Sequence, residues 1–224
     1  MKIDFRNPAV MAAVAAVILL VAGPGYYFYS QSVKDAQRKA VAQQVTETTR
    51  SLVLAVSLRG ADGEAQQLDA QVEAAERRLA ALRGAPSKAV PEVYEAGEHY
   101  IGDAQRVMRR QAALVRVRIA TAGAQNALIA HMGRADSRSD EWIREAVALR
   151  QKLEKEFFEF RAAASAYSSA LDAIPAARRQ AAAVLPGAEF YDESVLGKVQ
   201  MRAAEDARSA AVELENLKKL PPPR

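Results

Sequence analysis

Residues 94–129 read YEAGEHYIGDAQRVMRRQAALVRVRIATAGAQNALI, and this stretch decides the fold class. Apolar or small side chains recur in it every seven positions, at Tyr94, Ile101, Met108, Val115, Ala122 and Ile129. A seven-residue repeat keeps these side chains on one stripe of an α-helix, and no proline interrupts it. The spacing predicts one long helix over residues 91–133. Such a helix cannot bury its stripe alone, so it must pack against other helices.

Heptad spacing on either side of this stretch predicts further helices, separated by glycine and proline. Asp192 is placed to cap the last of them. The predicted helices span residues 30–58, 62–83, 91–133, 138–173, 175–184 and 192–219. No stretch alternates β-branched residues as a strand does. We therefore predict an all-α fold, an elongated antiparallel helical bundle or coiled coil over residues 30–220, followed by an extended proline-rich tail at residues 221–224.

The N-terminal part of the chain contains a long uncharged stretch. No charged side chain occurs between Arg6 and Lys34, and residues 9–29 supply the roughly 20 residues that cross a bilayer. A cleaved signal peptide would show small residues at its cleavage site, whereas the glycines and proline at residues 23–25 lead into bulky aromatic side chains. These aromatic side chains suit a membrane interface. We predict a short tail at residues 1–8 and an uncleaved, single-pass transmembrane helix at residues 9–29.

The location of the bundle follows from the anchor. Basic residues flank the uncharged stretch almost equally on both sides, so charge alone does not orient it. A short N-terminal tail before a large C-terminal domain favours an N-terminus inside the cell. The chain has no cysteine, which suits an oxidising envelope compartment. We predict a protein of the inner (cytoplasmic) membrane of a bacterial cell envelope, with its bundle in the periplasm.

Composition and motifs exclude several classes of function. The net charge is +4, from 31 basic and 27 acidic residues that are interspersed along the chain. Such a mixture is typical of solvated helix surface, so we expect no nucleic-acid partner. The sequence contains no phosphate-binding loop, dinucleotide fingerprint, nucleophile elbow or HExxH motif. We therefore predict that the chain is not an enzyme and carries no cofactor.

One acidic cluster has the spacing of a weak metal site. Glu95, His99 and Asp103 follow each other at steps of four and share one helix face. One imidazole and two carboxylates are a possible ligand set for a weakly bound divalent cation. The competing interpretation is a solvated acidic face near the start of a helix, where carboxylates are favoured. We favour the second interpretation and predict no metal, keeping these residues as weak candidates.

Polar side chains interrupt the apolar stripe of the long helix. Gln111, Arg118 and Gln125 occupy one heptad position between two apolar columns. A buried arginine requires an anion or several acceptors, so three interpretations are open. Arg118 pairs inside the bundle with a glutamate among residues 154, 156 and 159, or it lies in a protein interface, or it binds the carboxylate or phosphate of a small ligand. All three polar residues are candidates for a ligand or interface site.

Two functions are compatible with these features. We expect a membrane-anchored structural subunit whose bundle docks another cell-envelope protein or self-associates. The alternative is a bundle that senses a small anionic molecule and acts through a separate transducer. In overall plan an anchored bundle of this kind is similar to the input domains of bacterial chemoreceptors and histidine kinases, although those receptors have two membrane helices. In either case the bilayer is a partner through residues 9–29.

Overall fold

The computed structural model describes residues 8–58, 63–85, 88–133 and 139–219, with side chains from Tyr29 onward. The described residues contain no strand, so the all-α prediction is confirmed. The helices are α1 (Pro8–Ser57), α2 (Glu64–Arg83), α3 (Pro91–Met132), α4 (Asp140–Leu171), α5 (Ile174–Val184) and α6 (Glu193–Lys219).

The predicted anchor coincides with the first part of α1. Within the described part of the chain, no helix is both long enough and apolar enough to span a bilayer. Apart from Tyr29, the predicted span at residues 9–29 falls where side chains lie outside the description. The helix backbone itself continues from Pro8 to Ser57. The part of α1 that follows the predicted membrane span therefore continues without a break into the bundle.

The long helix α3 is the centre of the bundle. Its 42 residues correspond to about 63 Å of helix. We call residues 91–116 its lower half and residues 117–132 its upper half. The lower half packs against α1, α2 and α5, and the antiparallel α1–α2 hairpin covers one of its faces. Helix α4 packs along both halves of α3, and it in turn packs against α6.

Buried apolar side chains form three clusters along α3. The lowest cluster joins α1, α2, α3 and α5, the middle one adds α4 and α6, and the uppermost joins only α3, α4 and α6. Representative members, from the lowest cluster to the uppermost, are Val41, Leu82 and Ile101, then Leu52, Met108 and Leu171, then Ala124, Phe157 and Leu214. The uppermost cluster is the smallest because α1 and α2 do not reach it.

Close packing of α3 on α1 depends on Gly97. A methyl group at this position would lie 2.6 Å from Cγ1 of Val41 and 3.4 Å from Cδ1 of Leu82. Valine is stiff at χ1, so Val41 cannot easily move away. Glycine in a helix interior costs about 0.5–1 kcal/mol relative to alanine. Here the close approach of α3 to α1 explains why glycine is present despite this cost.

A buried chain of hydrogen bonds joins α1 and α3. The hydroxyl groups of Thr49 and Tyr100 are 2.8 Å apart, and Thr49 donates to the carbonyl of Val45. Tyr100 therefore donates to Thr49. Burial raises the pKa of the Tyr100 hydroxyl, against the opposing effect of this hydrogen bond.

Side-chain interactions fix the ends of α3, α4 and α6. The rings of His131 and Trp142 stack with centroids 5.0 Å apart, and each ring also hydrogen-bonds the backbone carbonyl of the other residue. Ser139 caps α4 by accepting from the Trp142 amide. Asp192 caps α6, because its carboxylate accepts from the amide of Ser194 at 2.8 Å. That hydrogen bond lowers the pKa of Asp192.

Candidate functional site

Two of the three predicted polar residues meet at the junction between the halves of α3. Gln111 and Arg118 line a small cavity together with Leu58, Tyr167 and Asp206. The cavity therefore lies where the top of α1 meets α3, α4 and α6. Its volume is about 20 Å³. Sites for small organic ligands typically measure about 300–1,000 Å³, whereas about 10–15 Å³ is enough for one water molecule.

Gln111 closes the lower side of this cavity. Its side chain is buried, and its Nε2 donates to the carbonyl oxygen of Leu58 at 3.0 Å. Its Oε1 has no hydrogen-bond partner among the described residues. A single water molecule would fit the cavity and satisfy this oxygen. This hydrogen bond of Gln111 therefore joins the C-terminal end of α1 to α3.

Arg118 makes an internal ion pair. Its Nη2 lies 2.5 Å from a carboxylate oxygen of Asp206 on α6, and its guanidinium lies 5.6 Å from the ring centroid of Phe160. One interpretation of the sequence placed a glutamate of the facing helix in this role, but the carboxylate shown here comes from Asp206. Asp206 occupies the guanidinium and the cavity is small, which favours the internal ion pair over the ligand-pocket interpretation of Arg118.

Gln125 does not join the other two predicted residues. It lies 14 positions beyond Gln111 and is exposed. In the upper half α3 is covered by fewer helices, and the side chains it buries are Thr121, Ala124 and His131. The structure therefore does not bring all three polar residues of this heptad position together. The narrower buried face of the upper half is the physical reason.

The weak metal candidates lie on the solvent side of α3. Glu95 and His99 are exposed, and Asp103 accepts a hydrogen bond from Arg106 at 2.9 Å. Across the described ranges, no group of three histidine, aspartate or glutamate side chains is arranged to hold a metal ion. A spacing of four places these residues on one helix face, but their side chains do not come close enough together to bind one metal ion.

One face of the upper half of α3 is exposed and uncharged. Residues 119–133 contain no Asp, Glu, Lys or Arg. Ile119, Ala122, Asn126 and Ile129 on this face are exposed. The same face of the lower half carries Ile101, Met108 and Val115, all buried. The contacts of the hairpin with α3 reach Arg116, which pairs with Asp69, and the exposed face begins one turn further along.

A basic groove lies between α2 and α3. It is open to solvent with a volume of about 860 Å³, and four arginines line it, namely Arg83 from α2 and Arg106, Arg109 and Arg110 from α3. The sequence shows the arginines of α3 at helical spacing. It does not show that Arg83 joins them, because the register of α2 against α3 is a tertiary property. This groove was not among the predicted sites.

Comparison of the chain with protein-family models, curated proteins and solved structures found no match. A helical bundle by itself does not identify a function, because the same fold serves many. The exposed face of α3 and the basic groove are therefore the features from which a function can be argued.

Proposed function

We propose that the chain is a membrane-anchored interaction subunit, and that its bundle docks a helix of another cell-envelope protein on the upper half of α3. One observation carries this proposal. The heptad column of α3 is fully buried at Met108 and Val115, beneath the α1–α2 hairpin, but its continuation at Ile129 is 61% exposed. The exposed face is thus the continuation of a seam that two helices of the same chain already cover.

The pattern of this face suits a partner helix. Ile119, Ala122, Asn126 and Ile129 follow at alternating steps of three and four, which is the spacing of coiled-coil core positions. An exposed, charge-free surface of this kind is a mark of protein interaction. A single asparagine among the apolar positions is also found in coiled coils, where it fixes the register of the partner. Docking therefore needs no rearrangement of α3.

Gly123 supports close approach of a partner. Nothing lies within 4 Å of the place that a methyl group would occupy at this position. Packing among the described residues therefore does not require glycine here, unlike at Gly97. A glycine inside a helix is destabilising by roughly 0.5–1 kcal/mol relative to alanine. A helix that passes close to α3 at Gly123 would account for that cost.

A second copy of the chain in the same membrane does not fit this face. If both copies are anchored through residues 9–29, their α3 helices point in the same direction. A parallel pair of upper halves would bring each α1–α2 hairpin into the space of the other, because the hairpin covers the same face just below. An antiparallel pair would place the two anchors at opposite ends of the dimer. The occupant is therefore a helix of a different protein.

The partner helix can be described by its chemistry. The exposed face is about 22 Å long, which corresponds to roughly two heptads of a partner. Small residues at Ala122, Gly123 and Ala130 leave room for large aliphatic side chains opposite them. The absence of charge on the face favours a partner with an uncharged stripe, because burying an unpaired charge is costly. Such a contact depends on shape and apolar area.

The anchor is the second part of the proposal. The uncharged sequence of residues 9–29 has the length of a membrane span, and α1 continues beyond it as a helix into the bundle. We expect the chain to stay with the inner membrane during alkaline extraction, and a variant lacking residues 1–29 to be released. Protease digestion of intact spheroplasts should remove the bundle if it is periplasmic. A wild-type chain that is released by alkali would contradict the anchor.

Site-specific cross-linking in native membranes tests the docking face. The chain contains no cysteine, so Ala122→Cys creates a unique attachment point for a thiol-linked photo-cross-linker. Ala162→Cys is the matched control, because Ala162 is also an exposed alanine inside a helix, on α4. We expect one partner protein to be cross-linked from position 122 and not from position 162.

Other outcomes would change or reject the proposal. A product of twice the monomer mass from position 122 would replace the foreign helix by a second copy. Equal products from both positions, or none from position 122, would reject the face as a docking site. Adding Ile129→Lys to Ala122→Cys sharpens the test, because it places a charge on the face and should abolish the cross-link while leaving the helix content unchanged.

A further inference from the structure

The groove between α2 and α3 is separate from the docking face and has the features of an anion site. It lies on the lower half of α3 and its volume of about 860 Å³ falls within the range of small-molecule sites. Leu79, Ala80 and Ala113 give it an apolar floor. Gly102 also lines it, and nothing lies within 4 Å of the place where its Cβ would be. The groove is thus left open by small residues.

The lining of the groove carries more positive than negative charge. Four guanidinium groups line it, and the acidic residue that lines it with them is Glu76, which pairs with Arg109. Arg83 and Arg106 pair with Glu98 and Asp103, at 3.5 and 2.9 Å. These arginines are all more than half exposed, and exposed ion pairs contribute little, so an incoming anion can share their guanidinium groups.

Arg110 and Gln105 lack partners in this groove. Arg110 forms no ion pair or hydrogen bond with any residue the structure describes. Gln105 is only 8% exposed, and its amide makes no hydrogen bond within the described chain. The amide atoms are not among the fully buried polar atoms, so they reach the solvent of the groove and are open to a ligand. The groove therefore presents one uncommitted cation and one uncommitted amide beside three further arginines.

We propose that this groove binds a small anionic molecule with at least two phosphate or carboxylate groups. Planar guanidinium groups bind both oxyanions through paired hydrogen bonds, and Gln105 would donate one more from the floor. A single phosphate would engage only part of the row of arginines. An apolar portion of the ligand would rest on Leu79 and Ala113.

The aqueous phase supplies this anion. The groove lies level with the part of α1 between Val41 and Ser51, since Val41 and Leu82 both lie close to Gly97 and Arg78 of α2 donates to Ser51. Val41 is 12 residues beyond Tyr29, which corresponds to about 18 Å of helix between the nearer end of the groove and the end of the proposed anchor. Electrostatic attraction to lipid headgroups is screened over about 8 Å at physiological salt. Lipids of the anchoring membrane are therefore too distant.

Titration calorimetry on the full chain in detergent tests this site. The probes are pyrophosphate, citrate and orthophosphate, each at constant ionic strength. We expect pyrophosphate and citrate to bind more tightly than orthophosphate. Arg110→Gln should weaken pyrophosphate binding about tenfold, which corresponds to the loss of one charge-assisted contact. Gln105→Leu should weaken it about fivefold.

The control is Arg208→Gln, which removes the same charge from an exposed arginine of α6 that has no ion pair within the described residues. It should leave the affinity within twofold of wild type. An equal effect of Arg110→Gln and Arg208→Gln would show that only net charge matters, which overturns the site, as would no binding of pyrophosphate at millimolar concentration. Vesicles of phosphatidylglycerol are added as a further arm. Displacement of pyrophosphate by vesicles would overturn the aqueous source.

Discussion

The lower and upper halves of α3 have the same sequence pattern and different surroundings. In the lower half, Met108 lies at a heptad position that is completely buried, whereas Ile129, three heptads later in the same column, is 61% exposed. The difference arises because the α1–α2 hairpin ends beside Arg116. Heptad spacing thus shows which face of a helix is able to pack. What covers that face is decided by the lengths of the neighbouring helices.

The largest expected difference comes from truncating the same column in each half. Met108→Ala should lower the free energy of unfolding by about 2–5 kcal/mol, because it leaves a cavity in the middle cluster. Ile129→Ala should change it by less than about 0.5 kcal/mol, since the side chain is exposed. Urea unfolding of the detergent-solubilised chain, followed by circular dichroism, measures both. Similar losses for the two variants would mean that the upper face is covered within the isolated chain.

The two glycines provide the next comparison. Gly97→Ala should destabilise the chain by about 1–3 kcal/mol, because the new methyl group meets Val41. Gly123→Ala should stabilise the isolated chain by up to about 1 kcal/mol through helix propensity. The same variant should weaken cross-linking from position 122, because it fills the space for the partner. A Gly123→Ala chain that is destabilised would show that the glycine serves an internal contact.

The hydrogen-bonded Tyr100 gives a smaller, pH-dependent effect on the lower half. Tyr100→Phe should cost about 0.5–1.5 kcal/mol at pH 8, because it removes the buried hydrogen bond with Thr49. The pKa of Tyr100 is raised in the folded chain, so above about pH 10 the unfolded chain loses this proton first and wild-type stability falls. The difference between wild type and Tyr100→Phe should therefore shrink between pH 9 and 11. A constant difference in urea unfolding across this range would contradict the assigned burial.

The smallest expected effect concerns the boundary between the halves. Asp206→Asn removes the charge that pairs with Arg118, whose side chain is 29% exposed and reaches water. We expect a loss of less than about 1 kcal/mol in the same unfolding experiment, as for other ion pairs near the surface. Asp206→Ala serves as a second variant without hydrogen-bonding capacity. A loss above 3 kcal/mol for both would indicate that the pair is fully desolvated and joins the two halves rigidly.

Local sequence signals account for most of the fold. Apart from the start of α1, the helix ends lie within two residues of the predicted limits, because glycine, proline and the cap at Asp192 act locally. The order in which the helices surround α3 was not predictable from spacing. In particular, the heptads of α1 and α2 do not indicate that their hairpin ends partway along α3.

The functional surfaces were predicted less well, for the same reason. The polar interruption at Gln111 and Arg118 was visible in the sequence, and both residues do lie at one junction. Gln125 shares their heptad position but lies outside this junction, because fewer helices cover the upper half of α3. The basic groove needs Arg83 from α2, and only the packed structure shows that it lies beside Arg106.

The end of the α1–α2 hairpin has a consequence for how such a protein can change during evolution. Each additional heptad inserted on both sides of the hairpin turn would cover about 10 Å more of α3. Two such insertions would close the exposed face completely and turn an open bundle into a self-contained one. Deletions of the same size would uncover more of the seam. The length of one surface hairpin, which tolerates insertions well, could therefore adjust partner affinity without altering a single contact residue.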